Sequence, residues 1–198
     1  MVGALVSLLV AVGAVVAVVV PGLVGTSDAR AAMTNAGCSF RTYPATTSEH
    51  VPETASVDYN SFPPTNGAMT EETVVWGYYT EPVSEKALVH NLEHGGVAVQ
   101  FGREVGPSTV ARLWEFYRSD SNGLVVARLA ALGDKIALAA WNAREPSKSR
   151  SGKPDLGEGV LAVCPRFDAK AFGTFVDKHR YKGPERPPRE TLEPGLGH

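Results

Sequence analysis

The stretch Ser84-Glu85-Lys86-Ala87-Leu88-Val89-His90-Asn91-Leu92-Glu93-His94-Gly95-Gly96-Val97-Ala98-Val99-Gln100-Phe101 contains a helix, a stop and a strand in immediate succession. Ser84 follows Pro82 and offers a hydroxyl to the free amides of a helix start. Leu88 and Leu92 stand four residues apart, and Gly95-Gly96 supply the left-handed backbone that closes helices. The spacing predicts a helix of about three turns. Val97 to Phe101 then reads as a short, fully buried strand.

Outward from this unit the chain alternates irregularly. Upstream, Val57 to Tyr59 reads as a short strand, and Ser61-Phe62-Pro63-Pro64-Thr65-Asn66-Gly67 as a fixed loop, because two prolines and an Asn-Gly step forbid regular structure. Thr73 to Tyr79 has strand propensity. Downstream, Ser108 is placed to cap an amphipathic helix bearing Val110, Leu113, Trp114 and Tyr117. Leu124 to Leu129 and Lys135 to Trp141 flank Gly133-Asp134 and predict a hairpin. Asn142 to Gly159 is charged and rich in Pro, Gly and Ser, which predicts an exposed insertion. Val160 to Cys164 is a short apolar run, and Asp168 caps a last helix with Phe172, Phe175 and Val176 inside. Trp76, Trp114 and Trp141 are expected in or near the core. Strands and helices without regular βαβ alternation predict an α+β fold: a small mixed or antiparallel sheet of about four strands with two to three helices.

One N-terminal transmembrane helix is expected ahead of this domain. Val2 to Val24 has no charged residue and is long enough to span a bilayer. Ala29-Arg30-Ala31 has the form of a signal-peptidase site, but a cleaved signal has an apolar region of only about 7–15 residues. Length therefore favours an uncleaved anchor over 1–24, with the domain on the extracytoplasmic side of the cell membrane. Residues 25–48 are small and polar and predict a flexible tether, 49–185 the globular domain, and 186–198 a disordered tail.

The formal net charge is −2 and the signs are mixed, so no basic stripe exists to bind nucleic acid. The membrane is the expected partner, and the residues name no protein partner. The two cysteines, Cys38 and Cys164, are either a disulfide of an oxidising compartment or two unrelated thiols.

His90 and His94 hold the pointed chemistry. Side chains four apart on a helix share a face, with Cβ atoms about 5–6 Å apart. Two imidazoles so placed can chelate one transition-metal ion if a third donor arrives from elsewhere. The bland alternative is a structural hub, with His94 on the free carbonyls of the helix end and His90 packed on the sheet. The tract also matches His-x-x-Glu-His, the inverted zinc-peptidase pattern, in which Glu93 would be the general base. That pattern needs a further acidic ligand, and Glu145, Glu158 and Glu185 all fall in loops or the tail.

Several motifs occur in a fixed order: Glu49-His50-Val51, Tyr59-Asn60-Ser61-Phe62-Pro63-Pro64-Thr65-Asn66-Gly67, Gly77-Tyr78-Tyr79, Leu88 to Val97, Leu138-Ala139-Ala140-Trp141, and Lys182-Gly183-Pro184-Glu185. This series resembles the bacterial domain-of-unknown-function family 3105, over about Glu49 to Glu185. The resemblance implies a small protein with one N-terminal membrane segment and brings no activity with it. Where the family loop usually continues Ser-Gly-Pro-His, this chain has Asn66-Gly67-Ala68-Met69. The resemblance thus implies that Met69 fills a histidine-like ligand position. A thioether beside two imidazoles would favour copper over zinc. The expected ligand set is His90, His94, Met69 and His50.

Overall fold

The structure, a computed structural model, describes residues 27–143 and 156–197. The apolar run read as a membrane helix lies outside the described residues, and among these no helix is long and apolar enough to cross a membrane. Most of the insertion expected between Asn142 and Gly159 also lies outside them.

The fold is α+β. Its helices are α1 (Ser27–Asn35), α2 (Glu85–Glu93), α3 (Pro107–Ser119) and α4 (Ala169–His179). Its strands are β1 (Ser39–Pro44), β2 (Gly77–Tyr78), β3 (Val97–Phe101), β4 (Leu124–Arg128), β5 (Ile136–Asn142) and β6 (Glu158–Cys164). They form one mixed sheet in the order β1-β6-β5-β3-β4-β2, in which β4 runs parallel to both β3 and β2 and the other pairs are antiparallel. The sheet is therefore larger than the four strands expected, and the described residues hold four α-helices where two to three were predicted.

The predicted tether accounts for much of that difference. Residues 27–44 form α1 and β1; Met33 and Ala36 enter the core, and Cys38 is bonded to Cys164 with an S–S distance of 2.09 Å. The predicted tail is also ordered: Arg189–Leu192 is a 3-10 helix with Leu192 buried, and Trp76 exchanges backbone hydrogen bonds with Gly195 and Leu196.

The expected hairpin does not form, because β3 lies between β4 and β5. The connecting turn crosses the end of β3 instead, where Leu129 N donates to Phe101 O and Gly102 N to Lys135 O. A Cβ on Gly102 would stand 2.0 Å from Gly133 O, so the turn can pass this closely only over glycine. Two further expectations fail locally. Val57 to Tyr59 is not a strand, and α3 begins at Pro107 with Gly106, not Ser108, as its cap. The other two caps hold: Ala171 N donates to Asp168 Oδ1 at 3.0 Å, and Ala87 N to Ser84 Oγ at 3.2 Å.

Strand alternation sorts the core into two layers. Val97, Val99 and Phe101 face α1, α3 and α4, meeting Leu113, Phe172 and Phe175. Ala98, Ala137, Ala139 and Trp141 face the opposite side, where α2 packs with Trp76, Leu88, Val89 and Leu92. Trp76 and Trp141 are core residues, but Trp114 is 42% exposed. Helix α2, with the histidine tract at its C-terminal end, is thus pinned by its apolar face to the centre of the sheet.

Candidate metal centre

Helix α2 ends at Glu93, with His94 as C-cap and Gly95 at φ +83°. The glycines after it are demanded by what approaches. A Cβ on Gly96 would lie 2.4 Å from the Trp76 ring, and one on Gly95 would lie 3.0 Å from Tyr181 Cα. A returning segment, 181–185, runs directly against this helix end: Tyr181 N donates to Gly95 O at 2.6 Å and Glu185 N to Glu93 O at 3.0 Å. Gly183 permits the approach, since a Cβ there would stand 2.0 Å from Glu93 O.

The Pro-Pro loop delivers a second element. The Phe62–Pro63 peptide bond is cis, Thr65 and Asn66 are buried, and Thr65 packs over Gly159 of β6, where a Cβ would meet its hydroxyl at 2.0 Å. The loop exits through Met69, which forms a bridge with His50: Met69 N donates to Glu49 O and Val51 N to Met69 O. His50 is thereby laid over α2.

Three imidazoles follow one another across the site. The ring centroids of His50 and His90 are 5.0 Å apart and those of His90 and His94 are 4.5 Å apart. Carboxylates lie among them. Glu93 Oε2 is 4.0 Å from His90 Nε2, Glu185 Oε2 is 3.4 Å from His94 Nε2, and Glu71 Oε2 is 3.4 Å from His50 Nδ1. His90, Glu93 and His94 are buried, whereas His50, Glu71 and Glu185 reach solvent. His50, Thr70 and Glu71 also line a cleft of about 550 Å³ with Glu53, Ser84 and Ala87.

The electrostatics suit a cation. Burial, then the negative charge of Glu185, push the Glu93 carboxyl up to about 7, against a hydrogen bond from the Ser48 side chain that lowers it. Burial and then neighbouring His50 lower the affinity of His90 for a proton; Glu185, the Thr70 backbone and Glu71 act the other way. His90 Nδ1 is buried and forms no hydrogen bond among the described residues. The C-terminal end of α2 adds partial negative charge from its free carbonyls. A neutral imidazole is the form a metal ion takes up, and binding at Glu93 would release the proton that burial favours there.

Of the four residues expected as ligands, His50, His90 and His94 are brought together. The Met69 side chain is fully buried in the apolar cluster with Val74, Trp76 and Leu88, while its backbone holds His50. Sequence reasoning set Glu185 aside as a loop residue, and it did not single out Glu71. The available signal for Glu185 was the pairing of Gly95-Gly96 with Gly183, which marks two backbones meeting.

Fold and site define an α+β domain whose central helix presents a histidine–carboxylate cluster beneath a loop and a returning C-terminal segment. The family described as Protein of unknown function (DUF3105) matches residues 50–191, and the chain belongs to that family. No curated protein and no solved structure matches it.

Proposed function

We propose that this is a membrane-anchored, extracytoplasmic domain that binds a divalent transition metal through His50, His90, His94, Glu93 and Glu185. The observation that carries the reading is convergence: five side chains of ligand type, drawn from three separate segments, meet at the end of one helix, and each lies within 4.8 Å of at least two others. Imidazole with carboxylate suits zinc, iron(II) or copper(II), whereas Cu(I) would favour the thioether that Met69 keeps in the core. The disulfide supports an oxidising compartment, and the apolar run from Val2 to Val24 supports anchoring.

The test is metal analysis of the full-length chain after equilibration with Zn²⁺ and, separately, Cu²⁺, beside His90→Ala and His94→Ala. Uptake by the wild type that each variant reduces or loses supports the reading. Equal, negligible uptake by all three, with melting temperatures indifferent to chelator, would leave a structural hub in a cell-envelope scaffold.

A further inference from the structure

We infer that the centre holds two metal ions sharing Glu93, an inference that rests on the metal-binding reading above. The donors separate into two sets of three, His50 with His90 and Glu93, and Glu93 with His94 and Glu185; within each set the ligand atoms all lie within 4.8 Å of one another. Glu93 alone belongs to both.

A single ion draws its nitrogen and oxygen donors to about 2.0–2.2 Å, so no two of them can stand much more than about 4.2 Å apart. The five donors fall into two such neighbourhoods that meet at Glu93, a row of two sites and not one shell. Two ions about 3.5–4 Å apart fit such a row, with a carboxylate in the middle. Glu93 has that place. It is the buried carboxylate of the cluster, its two oxygens can each address one ion, and the Ser48 side chain hydrogen-bonds it. Each ion then takes a protein set that mixes imidazole and carboxylate and keeps a position open. Glu71, beside His50, adds a third negative charge on the cleft side.

The two ions can be removed one at a time, because each set ends on a solvent-exposed residue. The His50 side chain is 41% exposed and that of Glu185 is 62% exposed, so neither truncation opens the core. Full-length protein is loaded with Zn²⁺ for elemental stoichiometry after gel filtration, and with Mn²⁺ for electron paramagnetic resonance. The expected result is two ions per chain in the wild type and an exchange-coupled Mn²⁺ pair. His50→Ala and Glu185→Ala should each hold one ion and give an uncoupled spectrum. One ion per chain in the wild type, or two without coupling, would overturn the shared centre while leaving metal binding intact. No retained ion at all would overturn both.

Discussion

The backbone amide of Glu185 donates to the carbonyl of Glu93 at 3.0 Å, so two acids nearly a hundred positions apart are fastened by main chain and not by side chain. The two acids are therefore brought to one place by the fold itself. That arrangement has a cost: burial first, and then the facing charge of Glu185, raise the affinity of Glu93 for a proton.

The fastening depends on Gly183. In Gly183→Ala the new methyl would meet Glu93 O at 2.0 Å and Gly95 N at 2.4 Å, both backbone atoms without freedom to yield. The segment 181–185 must lift. Loss of stability of about 3 kcal/mol is expected by chemical denaturation, together with weakened metal uptake.

Asn91 clamps the segment that carries Trp76. Its Oδ1 accepts from Val74 N at 2.9 Å and its Nδ2 donates to Val74 O at 2.8 Å, all within the buried interior. Asn91→Ala strands both backbone groups, at an expected cost of about 2–4 kcal/mol in a urea melt. Asn91→Asp should fare little better, because the donor to Val74 O is lost.

Glu85 makes stability pH-dependent from a position outside the histidine–carboxylate cluster. Burial pushes its carboxyl up to about 7, against the hydrogen bond from Gln100 Nε2 at 2.6 Å. The native state thus binds this proton more tightly than the unfolded chain. The associated stability is fully present below the unfolded carboxyl value and is lost as pH rises through about 7. Thermal melts should show Glu85→Gln several degrees above the wild type at alkaline pH and level with it at acid pH.

The double variant Cys38→Ser, Cys164→Ser releases a closure spanning 126 residues. A loss of about 2–4 kcal/mol is expected, matched by the wild type in reductant. Equal melting of oxidised and reduced wild type would contradict it.

The unit from Ser84 to Phe101 was legible because its signals are local: a capping hydroxyl, a four-residue apolar step and a glycine stop. The shared face of His90 and His94 followed from helical period alone, and their rings do meet. What stayed hidden depends on distant partners. β1 is the edge strand Ser-Phe-Arg-Thr-Tyr-Pro, half polar, and its pairing with β6 leaves no mark in its own composition. β2 has only two residues. The insertion of β3 between β4 and β5 is a choice of order that alternation cannot express. Glu71 and Glu185 carry no mark of a site in their own neighbourhoods for the same reason. A charge in a loop becomes a ligand candidate only when another backbone has room to carry it in, and that room is recorded in glycines elsewhere in the chain.

The Cys38–Cys164 crosslink lies between the chain's front end and everything that forms the centre. Six rungs of β1 against β6, from Ser39 to Pro44, stand just behind it. A pull delivered from the N-terminal side can unravel α1, but it then meets a covalent stop in β6 before a single rung between β1 and β6 is loaded. Tension is diverted around β1, and the histidine cluster sits on the shielded side of that stop.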